Sequence, residues 1–144
     1  MASLTGTYDP SQVIVSVSGV SLRGFSDGDA IAAKRDEDMS SKKVGIDGKV
    51  GRARNANKSG TFEFKLLQTS GANAELSALI AADNLLADGL GVFPISIIDG
   101  SGASLAYASQ CWVKTMPEAT FGKEVGERTW VFDAADLTIV HGGN

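Results

Sequence analysis

The residue types that could carry chemistry are few. There is one histidine, His141, three residues from the C-terminus, and one cysteine, Cys111, within an apolar β-rich run. A Cys–His nucleophilic pair would need a flexible tail to hold its base. The better reading is a packed thiol and a solvent-exposed histidine. "DGDAIAAKRDED", residues 27–38, is rich in carboxylates but lacks the spacing of a calcium loop. It reads as a solvated turn. No grouping of His, Cys, Asp or Glu has zinc spacing. "SGVSLRG" and "DGSGAS" are glycine-bearing turns that neither end in GK[ST] nor open a helix, so they are not phosphate loops. No motif supports an enzyme, a cofactor or a metal site.

What remains is charge. The net charge is −4, but residues 34–58 hold eight basic residues against four acidic ones. That window is +4 and the rest of the chain is therefore −8. Its centre, "KVGIDGKVGRARN", reads as two short strands about an Asp47-Gly48 turn. A two-residue turn there sets Ile46 opposite Lys49, Val44 opposite Gly51 and Lys43 opposite Arg52. Each face then mixes apolar residues with charge. A lone two-stranded hairpin is marginal in water, so this one needs a surface from outside the domain. A solvated loop is the plain alternative. Binding to nucleic acid through the cations of 42–58 is another, although no aromatic residue lies between 34 and 58 to stack on bases. The acidic remainder of an identical chain is the third candidate partner, with charge complementarity setting register.

The elements that would position this ribbon read as mostly β. "VIVSVSGVSLRGF" is a hairpin about Ser18-Gly19, and "AIAAKR" a further strand. "TFEFKLL" alternates, with Phe62, Phe64 and Leu66 toward a core and Thr61, Glu63 and Lys65 away from it. "ANAELSALIAADNLLADG" changes period. Leu76, Leu79, Ile80 and Leu86 share one helical face, while Glu75 and Asp88 fall off it. The spacing predicts a helix over 73–87, started by Asn73 or Ser70 and ended by Gly89. "VFPISIID" and "SLAYASQCWVKT" form a hairpin about "DGSG", with Pro94 at the first strand's start or on an edge. "PEATFGKEVGE" is a loop. "RTWVFDAADLTIV" supplies one or two strands with Trp130 and Phe132 inward. The whole is a single domain over 1–144: seven to nine strands in a β-sandwich or barrel with one flanking α-helix. The start has no basic segment leading into an apolar run, which argues against a secretory signal. No stretch reaches the ~18–20 apolar residues of a membrane span. A single cysteine suits a reducing cytoplasm.

"GVSLRGFSDGDAIAAKRDED", "KVGIDGKVGRARNANKSGTFEFKLLQTS", "NAELSALIAAD" and the closing "GGN" resemble the tail tube proteins of contractile-tailed bacteriophages. The resemblance covers about Val13 to Asn144 and is most specific from Gly45 to Ser70. It implies a fold similar to the type VI secretion tube protein. It further implies a virion structural protein without catalysis, assembled in the host cytoplasm. Six copies would form a ring whose inner strands join in one barrel, and rings would stack into a tube that passes the genome without specific DNA binding. Partners would be further copies, the sheath, the baseplate and the tail terminator, with no membrane. The segment 40–55 would reach the neighbouring ring through Lys42, Lys43, Val44, Ile46, Asp47, Gly48, Lys49, Val50, Arg52 and Arg54. Glu63 is a candidate for the lumen, which should be predominantly acidic. A type VI-like injection device shares the implied fold and is the remaining structural alternative.

Overall fold

The alternation of "TFEFKLL" sets the core. A computed structural model describes residues 2–85 and 91–143, and in it Phe62, Phe64 and Leu66 are fully buried on one side of a strand, Gly60–Leu67. That strand is the sixth of ten among the described residues. The others are β1 Val13–Val17, β2 Val20–Ser21, β3 Ile31–Arg35, β4 Ser40–Val44, β5 Val50–Arg54, β7 Phe93–Asp99, β8 Ser104–Thr115, β9 Glu127–Ala134 and β10 Leu137–Val140. One helix, α1, spans Ala72–Leu85, and a 3₁₀ turn, Pro10–Gln12, precedes β1. The count exceeds the seven to nine strands expected. β2 is only two residues long, and the segment after Trp130 breaks at Ala135-Asp136 into two strands.

Eight strands form one sheet in the order β2-β1-β7-β8-β9-β6-β3, with β10 also paired to β8. β8 explains its shape. The first half of β8 pairs with β7 on one side and β10 on the other, Leu105 facing both Ile98 and Val140. Its second half pairs with β9, Cys111 opposite Ala134. The sheet therefore folds over along β8 into two layers, β2-β1-β7-β8-β10 and β8-β9-β6-β3. The core lies between them, and sandwich and barrel both describe it in part. Phe62 sits opposite Phe132 and Phe64 opposite Trp130 across the β6–β9 ladder. Phe132 has ring centroids of Phe64, Phe93 and Trp130 at 5.6, 6.0 and 6.5 Å.

Local sequence accounts for the connections. Ser18 and Gly19 have φ of 52° and 81°, the pair of positive values that matches a hairpin turn to strand twist. Pro94 lies one residue inside β7, at the register shift between Phe93 and Ile95, where its missing N–H interrupts no regular ladder bond. α1 starts one residue earlier than expected. Ser70 Oγ accepts from the amide of Ala72 at 3.3 Å, while the Asn73 side chain turns inward and accepts from Trp130 Nε1 at 2.9 Å. Leu76 is buried, and Leu79 and Ile80 pack half-buried against the same core. Glu75 points off the face into a bidentate pair with Arg23, both contacts 3.2 Å. Leu86, Asp88 and Gly89, assigned above to the helix end, lie outside the described residues.

Gly60 marks the closest approach of backbone to core. A Cβ there would overlap the Leu137 side chain and stand 2.8 Å from the Lys34 carbonyl oxygen. Gly60→Ala should therefore destabilise the fold by about 1–3 kcal/mol. Urea unfolding would read this as a lower midpoint at unchanged slope.

Candidate assembly surface

The basic segment forms a ribbon of its own. β4 and β5 pair only with each other, and every residue of both is exposed. Asn55 ties its base. The Asn55 amide donates to the Met39 carbonyl at 2.9 Å, and its side-chain Nδ2 donates to Glu37 Oε2 and the Asp38 carbonyl at 2.8 and 3.0 Å. From there the chain extends into solvent to Ile46.

The register differs from the expected one by a single residue. Val44 stands opposite Val50, Lys42 opposite Arg52 and Ser40 opposite Arg54. The turn holds three residues, Ile46-Asp47-Gly48. Gly45 donates to the Lys49 carbonyl at 2.8 Å, Gly48 donates back to Gly45 at 3.0 Å, and Gly48 takes φ of 84°. This is the three-residue hairpin loop in which a left-handed glycine ends a turn. A slip of one residue reverses the faces of one strand relative to the other. The mixed faces expected from the two-residue turn are thus replaced by unlike ones. One face carries Val44 and Val50 near the tip, then Lys42, Arg52 and Arg54 toward the base. The other carries Gly51, Ala53, Ser41 and, within the strands, one long side chain, Lys43. Asp47 stands 4.0 Å from Lys49. No described carboxylate forms an ion pair with Lys42, Lys43, Arg52 or Arg54.

The two layers expose different surfaces. On the first, Ile14, Ile98, Leu105 and Val140 stand in register across four adjacent strands and are all exposed. An apolar row of this kind on a sheet face suits burial by another chain. On the second, Glu63 is half-buried, 3.9 Å from Lys65 and opposite Ala32 and Val131. This layer also ends in two unpaired edges among the described residues: the outer side of β3, and the side of β8 past Cys111 that β7 does not reach.

The structure keeps the two reactive side chains apart. Cys111 is fully buried mid-β8, and burial raises its thiol pKa to about 11. His141 follows Val140, which pairs with Leu105. Six residues of strand then separate it from Cys111, about 20 Å at ~3.3 Å per residue. The thiol should resist alkylation in the native protein at pH 8 and react fully in denaturant, as mass spectrometry of iodoacetamide-treated samples would read. The carboxylates of 27–38 gather into no metal-binding group among the described residues. Asp36 instead accepts from Ser59 and Thr61 at 3.0 and 2.8 Å, Thr61 and then Ser59 lowering its pKa. Glu37 is lowered by Asn55 and then Asn57.

Two features were not assigned from the sequence. One is an open flank where the layers part: Ile31 and Ala33 of β3 face Ile97 and Ile139 across a cavity of about 170 Å³. The other is a wider cavity of about 730 Å³ beside it, bordered by Asp36, Glu37 and Asp38 and sharing Ile139 and His141 with the first. The visible signal was the acidic block "DED" immediately before the basic ribbon. The segment 116–126 is a loop as expected, and it is pinned: the buried Arg128 donates to the Thr120 carbonyl at 2.8 Å and lies 5.4 Å from the centre of the Phe121 ring.

Comparison with known proteins agrees with this geometry. The family of the bacteriophage PhiTE tail tube protein matches residues 6–142. "Structural protein ORF10" of Pseudomonas phage KPP10 is 33% identical over an alignment spanning all of this chain and 87% of that protein. In fold, the chain is similar to the tube-terminating cap of the anti-feeding prophage, with TM-score 0.65 and 13% identity over 99% of this chain and 96% of that one. A subunit from the sheath/tube terminator of the extracellular contractile injection system PVC, in its extended state, superimposes with TM-score 0.66 and 12% identity, over 93% of this chain and 96% of that one. One from the PVC sheath-tube complex gives 0.63 and 12%, over 94% and 92%. With its full length covered by a relative at this identity and nearly all of it by the family, the chain belongs to the bacteriophage PhiTE tail tube protein family.

Proposed function

We propose that this protein is a non-catalytic structural subunit of a phage tail, six copies forming a ring and rings stacking into the tube through which the genome passes. The observation that carries this is the ribbon. It is a well-turned hairpin with no core of its own, held out from the body with four unpaired cations and an apolar tip. Its unlike faces supply what an isolated hairpin lacks only if another copy covers one of them.

The edges support lateral growth. The layer β8-β9-β6-β3 contributes four antiparallel strands, so its two end strands run in opposite directions. Copies related by rotation about a ring axis then bring β3 of one beside β8 of the next in antiparallel sense. An even number of strands per copy closes a ring without a mismatch, and closure removes exposed edges. The outward face of that layer would line the lumen, where the Glu63 carboxylate beside Lys65 offsets a cation that would otherwise hold phosphates. The partners consistent with this role are further copies, a sheath, a baseplate and a tail terminator, with assembly in the host cytoplasm. An injection-device tube is the second reading, favoured by the fold shared with the contractile injection system subunits; family membership favours the phage tail.

Negative-stain microscopy of purified, nuclease-treated protein at high concentration tests the proposal. Rings or tubes of uniform diameter are expected without nucleic acid. A monomer at every concentration, with DNA affinity falling steeply as salt rises, would replace it by the nucleic-acid-binding reading.

A further inference from the structure

We propose that the receptor for the ribbon is the open flank between the layers, and that the occupant is the ribbon of a second copy. This rests on the assembly reading above and names the surface that meets the ribbon.

The argument is one of order as well as charge. From its tip, the long-residue face of the ribbon presents Ile46, then the opposed pair Val44 and Val50, then Lys42 and Arg52, then Arg54. The flank presents the complementary order along its length. At one end Ile31, Ala33, Ile97 and Ile139 line the smaller cavity. At the other, Asp36, Glu37 and Asp38 border the larger one against a single guanidinium, Arg35. Ile139 and His141 belong to both cavities and make them continuous. A ribbon entering from the acidic end places its apolar tip over the parted core and its three cations beside three carboxylates. Asp36 and Glu37 are held ionised by the hydroxyl and amide donors already named, so the mouth keeps its charge.

A chain cannot serve its own flank in this way. The ribbon leaves the body at Asp38 and Asn55, beside the acidic mouth itself, and every residue of β4 and β5 is exposed. The occupant is therefore another copy. The unlike faces add a constraint: the face with Gly51, Ala53, Ser41 and the cation Lys43 offers no apolar side chain larger than a methyl group to the parted core, so the Val44 and Val50 face turns toward it.

Two experiments on the full chain test this. Ile46→Cys with Ile139→Cys pairs the exposed tip with the half-buried side chain common to both cavities, and the buried Cys111 stays out of reach of oxidant. Mild oxidation of assembled protein should give a ladder of disulfide-linked copies that neither single variant gives. Separately, Glu37→Lys with Asp38→Lys, and Lys42→Glu with Arg52→Glu, should each raise the concentration needed for assembly at least ~10-fold, as a loss of about 1.4 kcal/mol per contact requires. All four changes in one chain should restore it. Tubes that form normally but give no mixed ladder, or a fourfold variant no better than either pair, would overturn the flank as receptor and leave the tube assignment standing. Absence of any assembly in the unmodified protein would remove both.

Discussion

Removing residues 42–52 and joining Ser41 to Ala53 through an Asn-Gly turn should yield a folded protein that forms no tubes. Ser41 and Ala53 are directly opposed across the β4–β5 ladder, so their Cα atoms are ~4.5–5.5 Å apart and a two-residue turn closes the gap. None of the deleted residues is buried. Surface changes of this kind shift stability by about 0.5 kcal/mol or less, so the melting temperature should move by no more than about 2 °C. Elongation, by contrast, should be lost altogether, because the deletion takes the apolar tip and three of the ribbon's four unpaired cations. Sedimentation velocity and micrographs read the two outcomes separately. Long tubes from the shortened chain would end the assignment of the ribbon to contacts between copies. A protein that fails to fold would instead mean that the ribbon supports its own body, against its complete exposure.

Phe132→Ala should be the most damaging substitution in the core. The ring is fully buried and touches those of Phe64, Phe93 and Trp130, which come from three strands. Truncation leaves a cavity that three separately anchored rings cannot fill together, and costs about 3–5 kcal/mol. For a chain of this size that is roughly 10–20 °C in melting temperature. Phe62→Ala and Phe64→Ala belong to the same class. Leu79→Ala should cost distinctly less, because Leu79 is half-buried on α1 rather than enclosed. Thermal melts in which Phe132→Ala behaves like Leu79→Ala would contradict the packing between the two layers.

The strands that bury one face were legible because their pattern is local. Phe62, Phe64 and Leu66 alternate with Thr61, Glu63 and Lys65, and the structure buries the first set. Ser18-Gly19 was legible because few residues accept two successive positive φ values. The ribbon was legible as a hairpin but not in register. An Asp-Gly pair suits both a two-residue and a three-residue loop, and the choice falls to the pairing of Val44 with Val50, which the shorter turn forbids. The folding of the sheet along β8 was not legible at all. "SLAYASQCWVKT" reads as one strand whichever partners it takes, and only pairing with β7, β10 and β9 at different points shows where the layers divide. The flank was missed for the same reason. Ile31 and Ile139 are over a hundred residues apart, and "DED" alone is indistinguishable from a solvated turn.

The central claim is that identical copies complete this chain by covering its ribbon. A cryo-EM reconstruction of tubes grown from the purified protein tests it most directly. Density for residues 40–54 should leave one ring and lie against a subunit of the next, with Val44 and Val50 turned toward that subunit. Density for the same residues folded onto their own body, or standing free of any neighbour, would contradict the account.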